Sequence, residues 1–265
     1  MKKVALVSAL ALSLGFTQVA FAACSHVTNL SNAITNAASG TGGYGLPMWV
    51  TIVDETGKVC SVSTSGTSGS AAGNSEWLGS RIISAQKANT ANAFSINGYA
   101  ISTANLYSAV QPGGSLFGLQ ESNPIDASRV YLGSPENYGK GNKDPLVGQR
   151  VGGLNVFGGG LALYKDGVKV GAVGVSGDTS CRDHAFAWKV RSGLGLGTHT
   201  VGITTANVNA SNVGQTPLTG ALVGDELIIS NEAASGNYWN AWSHPACPDT
   251  VTGTDVGVLT IPVAP

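Results

Sequence analysis

Charge is scarce in this sequence. Asp, Glu, Lys and Arg make up 11% of its 265 residues, against roughly a quarter in an ordinary soluble domain. Neither sign dominates, with 14 basic and 15 acidic groups. A nucleic-acid binder needs a basic footprint, so that class is set aside. Little charge does not mean disorder here, because 43% of the residues are hydrophobic, ample for a core. Long apolar runs are missing after the first 22 residues, so no later segment is expected to span a bilayer and the mature protein is expected to be soluble. The four cysteines, Cys24, Cys60, Cys181 and Cys247, lie too far apart for a compact zinc-finger spacing. No Gly-x-Gly-x-x-Gly run opens a helix and no βαβα alternation is visible, which excludes a dinucleotide fold. Ser176 lacks the Gly-x-Ser-x-Gly elbow of a hydrolase nucleophile and is read as part of the turn before a helix. Asp178 and Asp183 are too few for a secure metal site. There is no internal repeat.

What is present begins at the first residues. Lys2 and Lys3 precede an apolar run from Val4 to Phe16, and Ala20-Phe21-Ala22 is a small-x-small cleavage signal. That order is the layout of a secretory signal, with cleavage expected after Ala22 or Ala23. The run falls short of the roughly 20 residues that cross a bilayer. The alternatives are a retained anchor or a lipid on Cys24, the second fitting poorly because Phe21 stands where Leu is expected. Without Lys2 and Lys3 the formal charge is −3, from 12 basic and 15 acidic groups. The expected location is periplasmic or secreted. In an oxidising compartment an even cysteine count favours disulfides, and four cysteines allow three pairings.

Hydrophobic periodicity places a helix over Val27 to Ala38 and a hairpin from Met48 to Val62 around Asp54-Glu55-Thr56-Gly57. The clearest helix runs from Ser80 to Phe94. Ile83, Lys87, Thr90 and Phe94 form one stripe of it, and Ala85, Ala88 and Ala91 form a thin face that admits a close neighbour. A short helix is expected over Thr103 to Val110. Residues 115–153, with Pro124, Pro135 and Pro145, read as a long irregular excursion, and loops that long are often functional. A second hairpin turns at Asp166-Gly167, and a last helix covers Ser180 to Arg191. Such an order predicts a small antiparallel sheet packed with helices.

Several of these segments resemble one family. Ser84-Ala85-Gln86-Lys87-Ala88-Asn89-Thr90-Ala91 is similar to the Lys-Ala-x-Thr-Ala helix of the GlcG/HbpS-like haem-binding proteins. Gly171 to Gly177 resembles that family's Gly-Ala-(Ile/Val)-Gly-Val-Ser-Gly strand and turn. Asp183 and Ala185 resemble the start of its last helix, and Met48 to Gly57 its opening strand and turn. Gly159-Gly160-Leu161 sits where the family has Gly-Gly-x-Pro, with Ala162 in place of Pro. The resemblance spans roughly Leu30 to Leu194. It implies a profilin-like α/β sandwich, an antiparallel sheet of about five strands packed with helices. It also implies oligomers and, in many members, binding of haem or a related tetrapyrrole. The expected organisation is a signal peptide over 1–22, a domain over 23–195 with an insertion at about 115–153, and an extension over 196–265 packed on that domain.

Haem iron accepts His, Cys, Met or Tyr as an axial ligand. His184 shares one helix face with Cys181 and Trp188, a setting that suits a flat aromatic guest or simply a half-exposed His beside a core Trp. His244 lies among Trp239, Trp242 and Cys247, which reads either as a ligand wall or as a tail held by aromatic anchors and a disulfide. His26 sits near the mature N-terminus and His199 lacks supporting neighbours, so both are weak candidates. Lys87 on its apolar stripe meets either a ligand carboxylate or an internal acid such as Asp183. The expected cofactor-binding residues are Lys87, His184, Trp188 and His244. The expected disulfides are Cys24–Cys60, tying the N-terminal segment to the first hairpin, and Cys181–Cys247, pinning the tail to the last helix. The leading function is an exported, non-catalytic binder of haem or a similar small ligand. The alternatives are an enzyme acting on a small oxidised carbon acid or tetrapyrrole, with Lys87 and Asp183 at its centre, and a structural oligomer without ligand.

Overall fold

The structure, a computed structural model, describes residues 22–39, 43–197, 202, 224–228, 242–245 and 247. Residues 1–21 of the expected signal peptide and His199 lie outside them. Helices α1 (Ala22–His26) and α2 (Leu30–Ala38) lead into strands β1 (Trp49–Asp54) and β2 (Val59–Thr64). Helices α3 (Ala72–Ser75), α4 (Leu78–Phe94), α5 (Thr103–Leu106) and α6 (Ala127–Val130) follow. The chain then forms β3 (Lys140–Gly141), β4 (Gly160–Lys165), β5 (Val168–Ser176) and α7 (Ser180–Gly193). The strands make one antiparallel sheet in the order β3-β2-β1-β5-β4, the fold class expected from the sequence. Among the described residues no helix is long and apolar enough to cross a membrane.

Alternation along the central strands builds two cores. Val50 and Ile52 of β1, Leu161 and Leu163 of β4, and Val173 and Val175 of β5 face α2 and α7, where they meet Ile34, Ala37, Phe186 and Trp188. Trp49 and Val53 of β1 and Ala172 of β5 face the other way, toward Ala85, Ala88 and Ala91 of α4 and Tyr138, Leu146 and Val151 of the excursion. The sheet therefore lies between α2 and α7 on one side and α4 with the excursion on the other. The alanine face of α4 is the one against the sheet. Ile83 and Phe94, on the stripe with the larger side chains, are only half-buried. Close approach explains this: a Cβ added at Gly174 would stand 1.9 Å from the Ser84 carbonyl oxygen, so β5 passes where only small residues fit.

Two local details also differ from the sequence expectation. The first helix starts at Leu30, not Val27, after the separate α1. The excursion supplies the edge strand β3 and the short α6, held by Asp144, whose carboxylate accepts from Gly139 N and Leu146 N, both at 2.9 Å, and pairs with buried Arg81.

Candidate functional site

Helix α7 starts with Thr179 as its cap, the side chain accepting from Arg182 N. It carries Cys181, His184 and Trp188 along one face. All three are buried, and the His184 ring is fully so, which corrects the half-exposed reading of that residue. The His184 and Trp188 rings stack with centroids 6.2 Å apart and planes 30° apart. Beyond Trp188, the Arg191 guanidinium lies 4.5 Å over the indole.

On a neighbouring face of the first turn Asp183 meets Lys87 of α4, Nζ to Oδ2 2.8 Å, both side chains buried. The pair passes the end of the sheet beside Gly159, where an added Cβ would lie 3.2 Å from Lys87 Nζ and 3.0 Å from Asp183 Cβ. Lys87 thus has the internal acid as its partner rather than an open pocket. Burial pushes the Asp183 carboxyl up to about 6, with Lys87 opposing the shift.

His244 reaches the same face from the far end of the chain. The segments carrying it form a strap. Asn105 Nδ2 donates to Glu226 O (3.0 Å), Ser108 Oγ to Ser243 O (2.7 Å) and His244 N to Ile228 O (2.8 Å). Asp225 pairs with buried Arg191 through two bonds of 2.6 and 2.9 Å. Cys247 is bonded to Cys181, S–S 2.02 Å, and Cys24 to Cys60, 1.94 Å, both bridges as expected from the sequence. The His244 ring sits against Tyr107 at 5.4 Å and Phe157 at 6.4 Å between centroids. Neither aromatic was identified from the sequence. Tyr107 lies just beyond α5 and Phe157 just before a glycine run, and nothing in either segment signals a neighbour 137 or 87 residues further along the chain. Trp242 packs instead with Leu106, Val110 and Val156, and Trp239 lies outside the described residues. His26 is exposed.

The polar inventory of this cluster is uneven. His244 Nδ1 lies 2.7 Å from the Pro245 carbonyl, which accepts only from a protonated nitrogen, so the proton sits on Nδ1 and Nε2 is left with its lone pair. That Nε2 is buried with no hydrogen-bond partner among the described residues. Among the described residues His184 has no hydrogen-bond partner on either ring nitrogen. Burial pushes His184 down to about 3 and His244 down to about 4, so both imidazoles are neutral at physiological pH. A buried, unpaired polar atom costs about 1–3 kcal/mol, so the three on these two imidazoles call for a reason beyond packing.

A groove of about 210 Å³ opens on a different face of α7, beside Arg182 and Phe186 and against Leu46, Pro47 and Met48. It does not reach the imidazoles, which are all but closed to solvent.

Residues 23–191 match the family described as "Haem degrading protein HbpS-like". The crystal structure of a PduOC:heme complex aligns with 26% identity and a TM-score of 0.45, covering 66% of this chain and 96% of that one. Klebsiella pneumoniae protein ORFY aligns with 21% identity and a TM-score of 0.43, covering 74% and 97% respectively. No curated protein matches. Since the family match takes in α1 to Arg191 of α7 and well over half of the chain, this protein belongs to the HbpS-like family.

Proposed function

We propose that this protein binds haem, or a tetrapyrrole of the same shape, as an exported and non-catalytic carrier. The observation that carries the reading is the set of bare ring nitrogens on His184 and His244, in a chain of a family described by haem. Haem supplies an iron that accepts an axial lone pair. Both imidazoles are held neutral and therefore ready to donate one. Trp188, Tyr107 and Phe157 add flat apolar surface around them. Phe157 is 44% exposed and is the outer ring over His244, so its displacement is the proposed way in. Lys87 serves by fixing Asp183 at the start of α7, the helix that presents His184 and Trp188, and not by direct contact with a ligand carboxylate.

Residues 1–22 are proposed to be removed on export and 23–195 to form the binding domain. Residues 196–265 are proposed as an extension packed on it. The buried strap contacts and the two bridges support this division. Mass measurement of the periplasmic form checks the cleavage, with intact Lys2 and Lys3 as the contrary result. Assembly into oligomers is proposed from the sparse charge, and a monomer on sizing chromatography would reject it.

Titration of the purified protein with haemin is expected to give a saturable shift of the Soret band. Absence of saturation rejects haem as the ligand. Decay of that band in the loaded protein under ascorbate, with release of iron, would reject the non-catalytic part.

A further inference from the structure

The family match ends at Arg191, yet the imidazole best prepared to hold a metal lies beyond it. Metal-ligating histidines nearly always donate their second ring N–H to a carbonyl or carboxylate, which fixes the tautomer and the ring plane. His244 has that arrangement before any ligand is present: Nδ1–H to Pro245 O at 2.7 Å, and Nε2 buried and unpartnered. His184 lacks it, because neither of its nitrogens has a partner to set its tautomer or orient its ring. Tyr107 and Phe157 form walls on His244, and Phe157 is the partly exposed one.

We infer that the strap beyond the family domain supplies the axial ligand, His244 through Nε2, and that the Cys181–Cys247 bridge positions it; this rests on the haem reading above. The proton stays on Nδ1 throughout, shared with Pro245 O, and coordination adds only the Nε2 lone pair to iron. The bridge is placed for the positioning role. Cys247 is three residues from His244, and its sulfur accepts from Cys181 N at 3.2 Å in the first turn of α7, so the strap is tied to the helix twice at one point. Cys181 Sγ itself stands 4.0 Å from His244 Nδ1. Arg191–Asp225 and Ser108–Ser243 hold two other points among its described residues. On this account the family domain supplies the aromatic walls, Tyr107 and Phe157, and the extension decides what the iron sees.

The test compares haemin complexes of the wild type, His244→Gln, His244→Met, His184→Gln and the Cys181→Ser/Cys247→Ser pair by visible absorption and magnetic circular dichroism. His244→Gln should lose the nitrogen-ligated spectrum and regain it when free imidazole is added, a rescue that a merely structural role would not show. His244→Met should move the charge-transfer bands to those of thioether ligation, which keeps the assignment testable if the Gln variant folds poorly. His184→Gln, at the other bare imidazole, should lower haemin affinity while the bound form keeps a nitrogen-ligated spectrum; loss of that signature in His184→Gln and its survival in His244→Gln would give the axial role to His184 and overturn the inference. Loss of the bridge should weaken haemin binding about 10- to 100-fold, as removal of ligand-orienting groups does. A His244→Gln spectrum identical to that of the wild type overturns the inference while leaving haem binding in place. No saturable binding by the wild type overturns the haem reading and this inference together.

Discussion

Helix α7 buries charge near both ends and neutral imidazole between them, and the two are handled in opposite ways. Near its start Asp183 is matched by Lys87 at 2.8 Å, and near its end Arg191 is matched by Asp225 through two bonds and by the face of Trp188. Arg81 and Asp144 repeat the pattern on the other side of the sheet. Next to Asp183 in the chain, His184 is equally buried, and its ring nitrogens have no hydrogen-bond partner among the described residues. An unpaired charge in such a place costs several kcal/mol, so folding demands a partner for it. A neutral imidazole costs less and can be left bare if something else makes use of it. The ion pairs are thus read as structure and the imidazoles as site.

Breaking a matched pair should have the largest effect. Asp144→Ala strands buried Arg81 and removes the acceptor for Gly139 N and Leu146 N, which organise the excursion. The expected loss is about 3–5 kcal/mol, read from the urea midpoint. A loss under about 1 kcal/mol would mean that Arg81 finds water and that the pairs are not what the fold requires. The bridge tests the strap in the same units. Cys181–Cys247 spans 66 residues, and replacing both cysteines by serine should cost about 4 kcal/mol through the freer unfolded chain.

Acid sharpens the comparison because the two classes titrate with opposite sign. His184 and His244 are depressed to about 3 and about 4, so below the ordinary imidazole range the unfolded chain takes up protons that the folded one refuses. Their contribution is complete above about pH 6.5 and is lost as the pH falls toward the folded values. Asp183 is raised to about 6, so its contribution runs the other way, present at low pH and lost as the pH rises through about 6. Between pH 6 and 4 two histidines oppose one carboxyl, leaving a net loss of about 1 kcal/mol per pH unit on acidification. Unfolding at fixed pH steps checks it. In His184→Leu the acid loss over that window should nearly vanish, since one histidine and one carboxyl then cancel.

The frame of this fold was legible in the sequence, and the reason is local. Asp166-Gly167 forms its tight turn with positive φ at both positions, 51° and 78°, which that pair of residues tolerates. Asp54 accepts from Thr56 N and Lys58 N around the first hairpin. Ala85, Ala88 and Ala91 announced the close contact of α4 with the sheet. The facing of Lys87 was half legible: its place among apolar residues required a partner, and Asp183 was one of the acids available. What stayed hidden was long-range. Nothing near Arg191 indicates Asp225, and nothing near Phe157 indicates His244, because such pairs are set by how the strap returns across the domain. The burial of His184 was underestimated for the same reason, since the covering groups come from elsewhere in the chain.

The smallest effect carries the most weight for the division between structure and site. If His184 were a structural residue, replacing it should destabilise the apoprotein as any core deletion does. In His184→Leu two unpartnered nitrogens are exchanged for apolar atoms of comparable bulk, in contact with Trp188. Removing buried polar atoms that have no partner to lose is close to neutral or favourable, and a volume-conserving change adds little strain. The apoprotein is therefore expected to stay within about 1 kcal/mol of the wild type at pH 7.5, where His184 is neutral in the folded and the unfolded chain. Denaturant unfolding measures it. A loss of about 3 kcal/mol, the size seen when packing is broken, would place His184 with the ion pairs and leave His244 as the single bare imidazole of the site.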